Sequence, residues 1–343
     1  MARVMLTSVS EGRCPDDHED LVPLMRMRRC ATTDRFGVHE IVTRADDADI
    51  VLFVEYRGPG LYQAGLRRHP LVREDGARCF CFCSIDQVVP FMPGIYASLP
   101  EHRYDPSRHR SGHYVRGLFR PAPPYAGPLD GDARWLASFR GSLATHRVRR
   151  ELARVAAGPR ILVEDSEAKR RWGANGNLYM GYTGDVVSDY FGLIDASAFA
   201  LCPRGYGASS MRLFEAMSRG RAPVIVGDAW VAPEGPDWGA FSVRVAERDV
   251  ARLPSILAER EPEARAMGIR AREAWEAWFS EEASFHRVVG WCEELAAARR
   301  ATEPARRWLA YGRLVDEDVL AMRLRSYRGR LRRLARKVRK ALR

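Results

Sequence analysis

The sequence predicts an α/β protein built from two successive parallel-sheet domains that face a common cleft, followed by a basic amphipathic helix. Three observations carry this. Residues Phe199 to Trp230 read as strand, glycine-punctuated loop, helix and second strand, which is one β-α-β unit of a parallel sheet. Strand and helix patterns alternate before and after a stretch, Val88 to Gly127, that is rich in proline, histidine and aromatic residues instead. The chain has 343 residues, 46% hydrophobic and 29% charged, enough to bury two cores. The expected units are residues 1–125, residues 126–302 and a helical tail over 303–343.

In the first unit, Ala2 to Thr7, Asp49 to Val54 and Arg78 to Ser84 are short apolar runs and therefore strands, and Leu21 to Cys30 is a helix between them. Val88 to Gly127 is expected to be long structured loops, with the domain boundary near Pro121 to Pro128. In the second unit, Trp135 to Phe139 is a strand, Arg140-Gly141-Ser142 a turn and Ala144 to Ala156 a basic helix. Arg160 to Val163 is a strand and Asp185 to Asp195 a helix. After the β-α-β unit, Phe241 to Val245 is a strand, with helices over Asp249 to Ala258, Glu263 to Phe279 and Glu282 to Arg300.

Charge and cysteine content exclude several classes. The net charge of +11 suggests a nucleic-acid binder until it is located: eleven Lys or Arg and no acid lie between Val319 and Arg343. The remainder holds 44 basic and 44 acidic residues, so the body is neutral and nucleic acid is not an expected partner. Within the tail, Leu320, Leu324, Tyr327, Leu331, Leu334 and Val338 step by four and three, which makes a basic amphipathic helix. It suits an anionic membrane surface first, docking across the two domains second and a nucleic-acid arm last. No apolar run is long enough to span a bilayer and the N-terminal apolar stretch is short for a signal peptide, so a cytoplasmic location, peripheral to the inner membrane face, is expected. Cysteines number seven, and Cys79, Cys81 and Cys83 alternate with Phe80 and Phe82, which puts three reduced thiols on one strand face rather than in a zinc site.

Chemistry concentrates in the loop that follows the Phe199 strand. The carboxyl end of a parallel strand and the start of the next helix gather backbone N–H groups and a helix dipole, an anion site by construction. Arg204 and Gly205 stand in that loop, and Ser209 and Ser210 are placed to cap the helix and to bond phosphate or ribose. Arg140 and Ser142 hold the equivalent place after an earlier strand. Glu215 lies on the helix with Arg212 and Arg219 at i−3 and i+4; the spacing alone fits solvated ion pairs.

The run from Cys202 to Val245 resembles the exostosin-type domain of glycosyltransferase family 47. The matching residues are Pro203-Arg204-Gly205, Ser210, Arg212 to Ala216, Pro223 to Ile225, Asp228, Trp230 and Phe241 to Val243. Weaker similarity extends upstream to Asp46. The resemblance implies a GT-B fold of two Rossmann-like domains, a nucleotide-sugar donor held mainly by the second, and inverting transfer to a glycan or lipid-linked glycan acceptor. It implies that Glu215 accepts the ribose hydroxyls. A departing diphosphate gains negative charge, which Arg204 and Arg140 are suited to hold in bidentate fashion.

Inverting transfer needs a general base. Asp86 and Glu55 end two strands of the first unit and are the candidates, with His113 and His146 as alternatives; no spacing rule separates them. Asp47 and Asp49 precede their strand instead of following it, so neither a metal-diphosphate motif nor any cofactor is expected. Two other readings remain open: a fucosyltransferase-like enzyme using a GDP-sugar, and a catalytically silent protein that binds glycan or lipid.

Overall fold

A computed structural model describes residues 1–60, 63–115, 122–155, 160–166 and 184–299, with Leu324 and Tyr327. The basic-tail expectation otherwise lies outside the described residues; Leu324 and Tyr327 are helical and exposed.

Two parallel sheets organise the chain. The first contains β1 (Arg3–Thr7), β2 (Glu40–Ile41), β3 (Ile50–Glu55), β4 (Cys79–Cys83), β5 (Gly94–Tyr96) and β6 (His109–Ser111) in the order β2-β1-β3-β4-β5-β6. The second contains β7 (Trp135–Gly141), β8 (Ile161–Asp165), β9 (Ser197–Pro203), β10 (Ala222–Val226) and β11 (Val243–Val245) in the order β11-β10-β9-β7-β8. This is the two-sheet α/β architecture that a GT-B fold requires. Every strand pair in both is parallel. Strands buried on both faces need near-continuous apolar runs, which is what IVLFV in β3 and CFCFC in β4 supply. Alternation in β4 sends Cys79, Cys81 and Cys83 into one core and Phe80 and Phe82 into another, and none of the three cysteines is in a disulfide.

Helix α1 (Val22–Thr32) covers the first sheet, and α2 (Ala64–Arg68) and α3 (Pro70–Glu74) follow β3. Around the second sheet lie α4 (Arg147–Val155), α5 (Gly184–Asp195), α6 (Met211–Ser218), α7 (Trp238–Phe241), α8 (Leu253–Arg260) and α9 (Ala264–Trp278). Helix α10 (Glu281–Ala297) follows the second sheet in sequence yet packs on α1 and β5 of the first. One hydrophobic core runs through both halves, from Leu6, Leu52 and Phe82 to Phe214, Trp230 and Phe285.

A seam of polar contacts joins the halves at the strand ends. The Glu101 N–H donates to the Ala229 carbonyl at 2.9 Å, Pro100 bridges to Trp230, and Ser111 Oγ donates to the Val231 carbonyl at 2.6 Å. Two more contacts reach the loop after β9: Gln87 Nε2 donates to the Tyr206 carbonyl, and the Ser209 N–H to Ser98 Oγ, both at 3.0 Å.

The structure corrects five sequence expectations. The proline-rich stretch contains β5 and β6, strands of three residues that are too short to display alternation. Arg140 and Gly141 belong to β7 rather than to a turn, because they pair in register with Glu164 and Asp165 of β8. Phe241 closes a helical turn, and β11 begins only at Val243. The basic helix starts at Arg147, after a 3-10 turn over Leu143–Thr145, and the helix expected from Asp249 is a 3-10 turn followed by α8.

Candidate functional site

In the second sheet the chain winds outward in opposite directions from β7 and β9, so the crevice between their carboxyl ends is the topological switch point where open α/β sheets bind ligands. That crevice brings Arg140 to Ser142 beside Pro203 to Gly205. Arg149, on the first turn of α4, joins the two loops. Its Nε donates to the Arg204 carbonyl at 2.9 Å, Nη2 to the Pro203 carbonyl at 3.1 Å and Nη1 to the Ser142 carbonyl at 3.1 Å.

Positive charge dominates here. Arg204 Nη1 lies 3.6 Å from Glu247 Oε1, an ion pair beyond hydrogen-bond length, and its buried Nε has no hydrogen-bond partner among the described residues. Glu247 is shared, since Arg147 Nη2 stands 3.9 Å away. His146 is partly buried, and its pKa is pushed down to about 4 by burial, then by Arg204, Arg147, Arg149 and Arg150. Four guanidinium groups around one partly buried imidazole make a field suited to an anion. Arg140 is already engaged: its Nε donates to Glu164 Oε2 at 2.5 Å across the β7–β8 register.

Beneath the loops, Arg212 donates to the Arg140 carbonyl, and its guanidinium lies over the Phe139 ring at 4.5 Å and the Tyr190 ring at 5.5 Å. Its Nε is buried and has no hydrogen-bond partner among the described residues. Tyr190 Oη donates to Glu215 Oε2 at 2.5 Å. Burial pushes the Glu215 pKa up against the pull of Arg212 and of the Tyr190 hydroxyl. Glu215 is therefore held in a Tyr190–Glu215–Arg212 cluster. Arg219, expected to pair with it at i+4, turns instead to Asp195 at 2.5 Å. Ser210 occupies the N-cap position of α6 without a side-chain cap bond, and the Ser209 N–H reaches across the seam to Ser98, so the expected capping by these serines is not what the structure shows.

The first half contributes a wall at the same seam. Asp86 is exposed just past β4 and accepts a hydrogen bond from Tyr114 Oη at 2.7 Å. Burial, and then Asp86 itself, hold the Tyr114 phenol well above its usual pKa, so Tyr114 is the donor. Gly207, from the second half, meets this wall directly. A Cβ there would lie 2.1 Å from Ser98 Oγ and 2.5 Å from the Asp86 carbonyl oxygen. Glu55 is placed differently. It sits at the switch point of the first sheet but is fully buried, accepting from Val9 N–H at 2.7 Å and Ser8 Oγ at 3.0 Å. His113 is buried among Phe82, Phe214 and Phe279, with its pKa pushed down to about 3 by burial, and bonds Ser284.

The switch point thus gathers Arg140, Ser142, Arg204, Gly205, Arg212 and Glu215, while Ser209 and Asp86 line the seam beside it. Sequence reasoning missed Arg149, Tyr190, Glu247 and Tyr114. Arg149 is one of several arginines in THRVRRELAR, and nothing in the pattern separates the buried one from its neighbours.

Comparison with known proteins finds similarity over this part of the chain. Residues 118–259 match the family described as the Exostosin GT47 domain. An Exostosin-1 homolog of Caenorhabditis elegans is 38% identical over 71 residues, covering 20% of this chain and 19% of that protein. A probable glucuronosyltransferase of Oryza sativa subsp. japonica is 45% identical over 71 residues, 20% of this chain and 17% of that protein. A probable glucuronoxylan glucuronosyltransferase of Arabidopsis thaliana is 29% identical over 133 residues, 38% and 27% respectively. The matches thus span less than a third of the length of these relatives. Among solved structures, MurG of Acinetobacter baumannii aligns with 85% of this chain and 99% of its own at 11% identity and a TM-score of 0.38. Residues 118–259, which hold Pro203-Arg204-Gly205, α6 and β10 in this order, are thus similar to the Exostosin GT47 domain.

Proposed function

We propose that the chain transfers a sugar from a nucleotide-sugar donor, a UDP-sugar in preference to a GDP-sugar, to a hydroxyl of a glycan acceptor with inversion. Cell-surface polysaccharide or glycan synthesis is the setting in which such a step serves. The observation that carries the reading is the guanidinium cluster at the β7–β9 switch point, where the buried Arg204 Nε has no hydrogen-bond partner among the described residues. In the proposed step Asp86, across the seam, takes the proton from the acceptor hydroxyl as its oxygen attacks the anomeric carbon. The bond from that carbon to the diphosphate oxygen breaks, and the charge that develops on the diphosphate is met by Arg204. No divalent ion is part of this proposal, since guanidinium groups supply the positive charge. Peripheral attachment to an anionic membrane belongs to the tail, residues 319–343, and stays a proposal.

A panel of UDP- and GDP-sugars tests the reading by calorimetric binding and donor hydrolysis. Micromolar binding of one nucleotide class, lost about tenfold or more in Arg204→Ala at unchanged melting temperature, is the expected outcome. Neither binding nor turnover across the panel would refute it, and turnover with a GDP-sugar alone would move the donor preference.

A further inference from the structure

We propose that Arg149 is a positioning residue that clamps the β7 and β9 loops together and thereby sets the spacing of the groups that grip the donor diphosphate; the proposal rests on the donor reading above. Among the described residues, all three hydrogen bonds of the Arg149 guanidinium go to main-chain carbonyls, one just past β7 and two at the end of β9, from Pro203 and Arg204. A planar guanidinium with donors in a fixed fork dictates the relative position of its acceptors, which a lysine ammonium on a flexible stem does not. Arg149 is 9% exposed, and flanking Val148 and Leu152 anchor α4 in the core of the second half. The clamp is therefore part of a rigid element.

Two consequences favour an anion. Engaging the carbonyls of Ser142, Pro203 and Arg204 turns three negative dipole ends toward the protein and away from a ligand. The charge that does this is answered by dipoles rather than by a hydrogen-bonded carboxylate, so it still contributes to the field in the crevice. Phe139 supports the arrangement, with Arg149 Cζ 5.2 Å and Arg212 Cζ 4.5 Å from its ring centroid.

The clamp also accounts for the glycine of the Pro203-Arg204-Gly205 motif. Gly205 has no left-handed backbone that would demand glycine. What a side chain would displace is Arg149 itself, because a Cβ at position 205 would lie 2.9 Å from Nη2 and 3.4 Å from Cζ. The motif glycine and an arginine 56 positions earlier in the chain are one unit.

The test is calorimetric titration of UDP, with GDP alongside, into the full chain as wild type, Arg149→Lys, Arg149→Met, Gly205→Ala and the combined R149M/G205A, each with a melting curve. Arg149→Lys is expected to keep its melting temperature within a few degrees and to bind the nucleotide about tenfold or more weakly, although the charge is retained. Gly205→Ala is expected to weaken binding in the same direction by displacing the guanidinium. R149M/G205A is expected to bind no worse than Arg149→Met, since the atoms that crowd the new Cβ are gone. That non-additivity is a readout a merely structural arginine would not move. Wild-type affinity in both Arg149→Lys and Gly205→Ala overturns the proposal, as do additive losses in the combined variant. Should Arg149→Lys fail to fold, Gly205→Ala decides alone. Absence of UDP and GDP binding by the wild type overturns the donor reading and this proposal with it, whereas binding that is indifferent to the clamp overturns only this proposal.

Discussion

Replacing Glu55 by Gln should remove a pH dependence of stability that the wild type carries between mildly acidic and neutral conditions. The carboxyl is fully buried, and burial pushes its pKa up from 4.5 to about 8, against the opposing hydrogen bonds from Val9 and Ser8. Below pH 4.5 the folded and unfolded chains both carry the proton, and Glu55 leaves stability unaffected. Between 4.5 and 8 the unfolded chain releases the proton and the folded chain keeps it, so stability falls as pH rises, and above 8 the loss is complete. At about 1.4 kcal/mol per unit of pH for one proton, the interval from about pH 5 to about 7.5 amounts to about 3 kcal/mol. Glutamine has the same shape, accepts from Val9 N–H through Oε1 and faces Ser8 Oγ with its amide, so it should fold. The assay is urea unfolding of both proteins at several pH values, with the difference in free energy plotted against pH, which cancels the other titrating groups. A difference that stays flat from pH 5 to 8 would refute the idea of a buried, protonated Glu55. The same experiment bears on chemistry, because a carboxyl protonated at neutral pH and bonded to the β1 loop is poorly placed to receive a proton from an acceptor.

Two further substitutions probe the seam. Gly207→Ala forces a methyl against Ser98 Oγ and the Asp86 carbonyl; it should cost about 1–3 kcal/mol by overpacking and lower the melting temperature. Adding Ser98→Ala should restore only part of this, since the Asp86 backbone cannot step aside, and full recovery would count against the close approach. Asp86→Asn keeps an acceptor for Tyr114 and should leave nucleotide affinity unchanged while turnover falls about 10²- to 10⁴-fold; undiminished turnover would remove Asp86 as the base.

Much of this was legible in the chain itself. Apolar runs such as IVLFV and APVIV, bounded by glycine, proline or acidic residues, announce strands because a strand covered on both faces tolerates little else. The β9–α6–β10 unit was legible for the same reason, and so was the anion site at its loop, which follows from backbone geometry more than from any one side chain. Strands β5 and β6 were not legible, because three residues hold too little pattern to separate a strand from a loop. Arg140 was misassigned to a turn because its place in β7 depends on register with β8, a pairing that local sequence does not encode.

Side-chain roles divide along the same line. The sequence by itself determined two parallel sheets, the cleft and the basic loop after β9, because these depend on periodicity and local backbone chemistry. Only the tertiary structure separated Glu55, sealed in the first core at the end of β3, from Asp86, exposed at the seam just past the adjacent β4. It alone singled out Arg149 from the arginines around it and tied it to Gly205. Burial and hydrogen-bond partners are set by segments far apart in the chain, and no local pattern records which of several like residues will meet them.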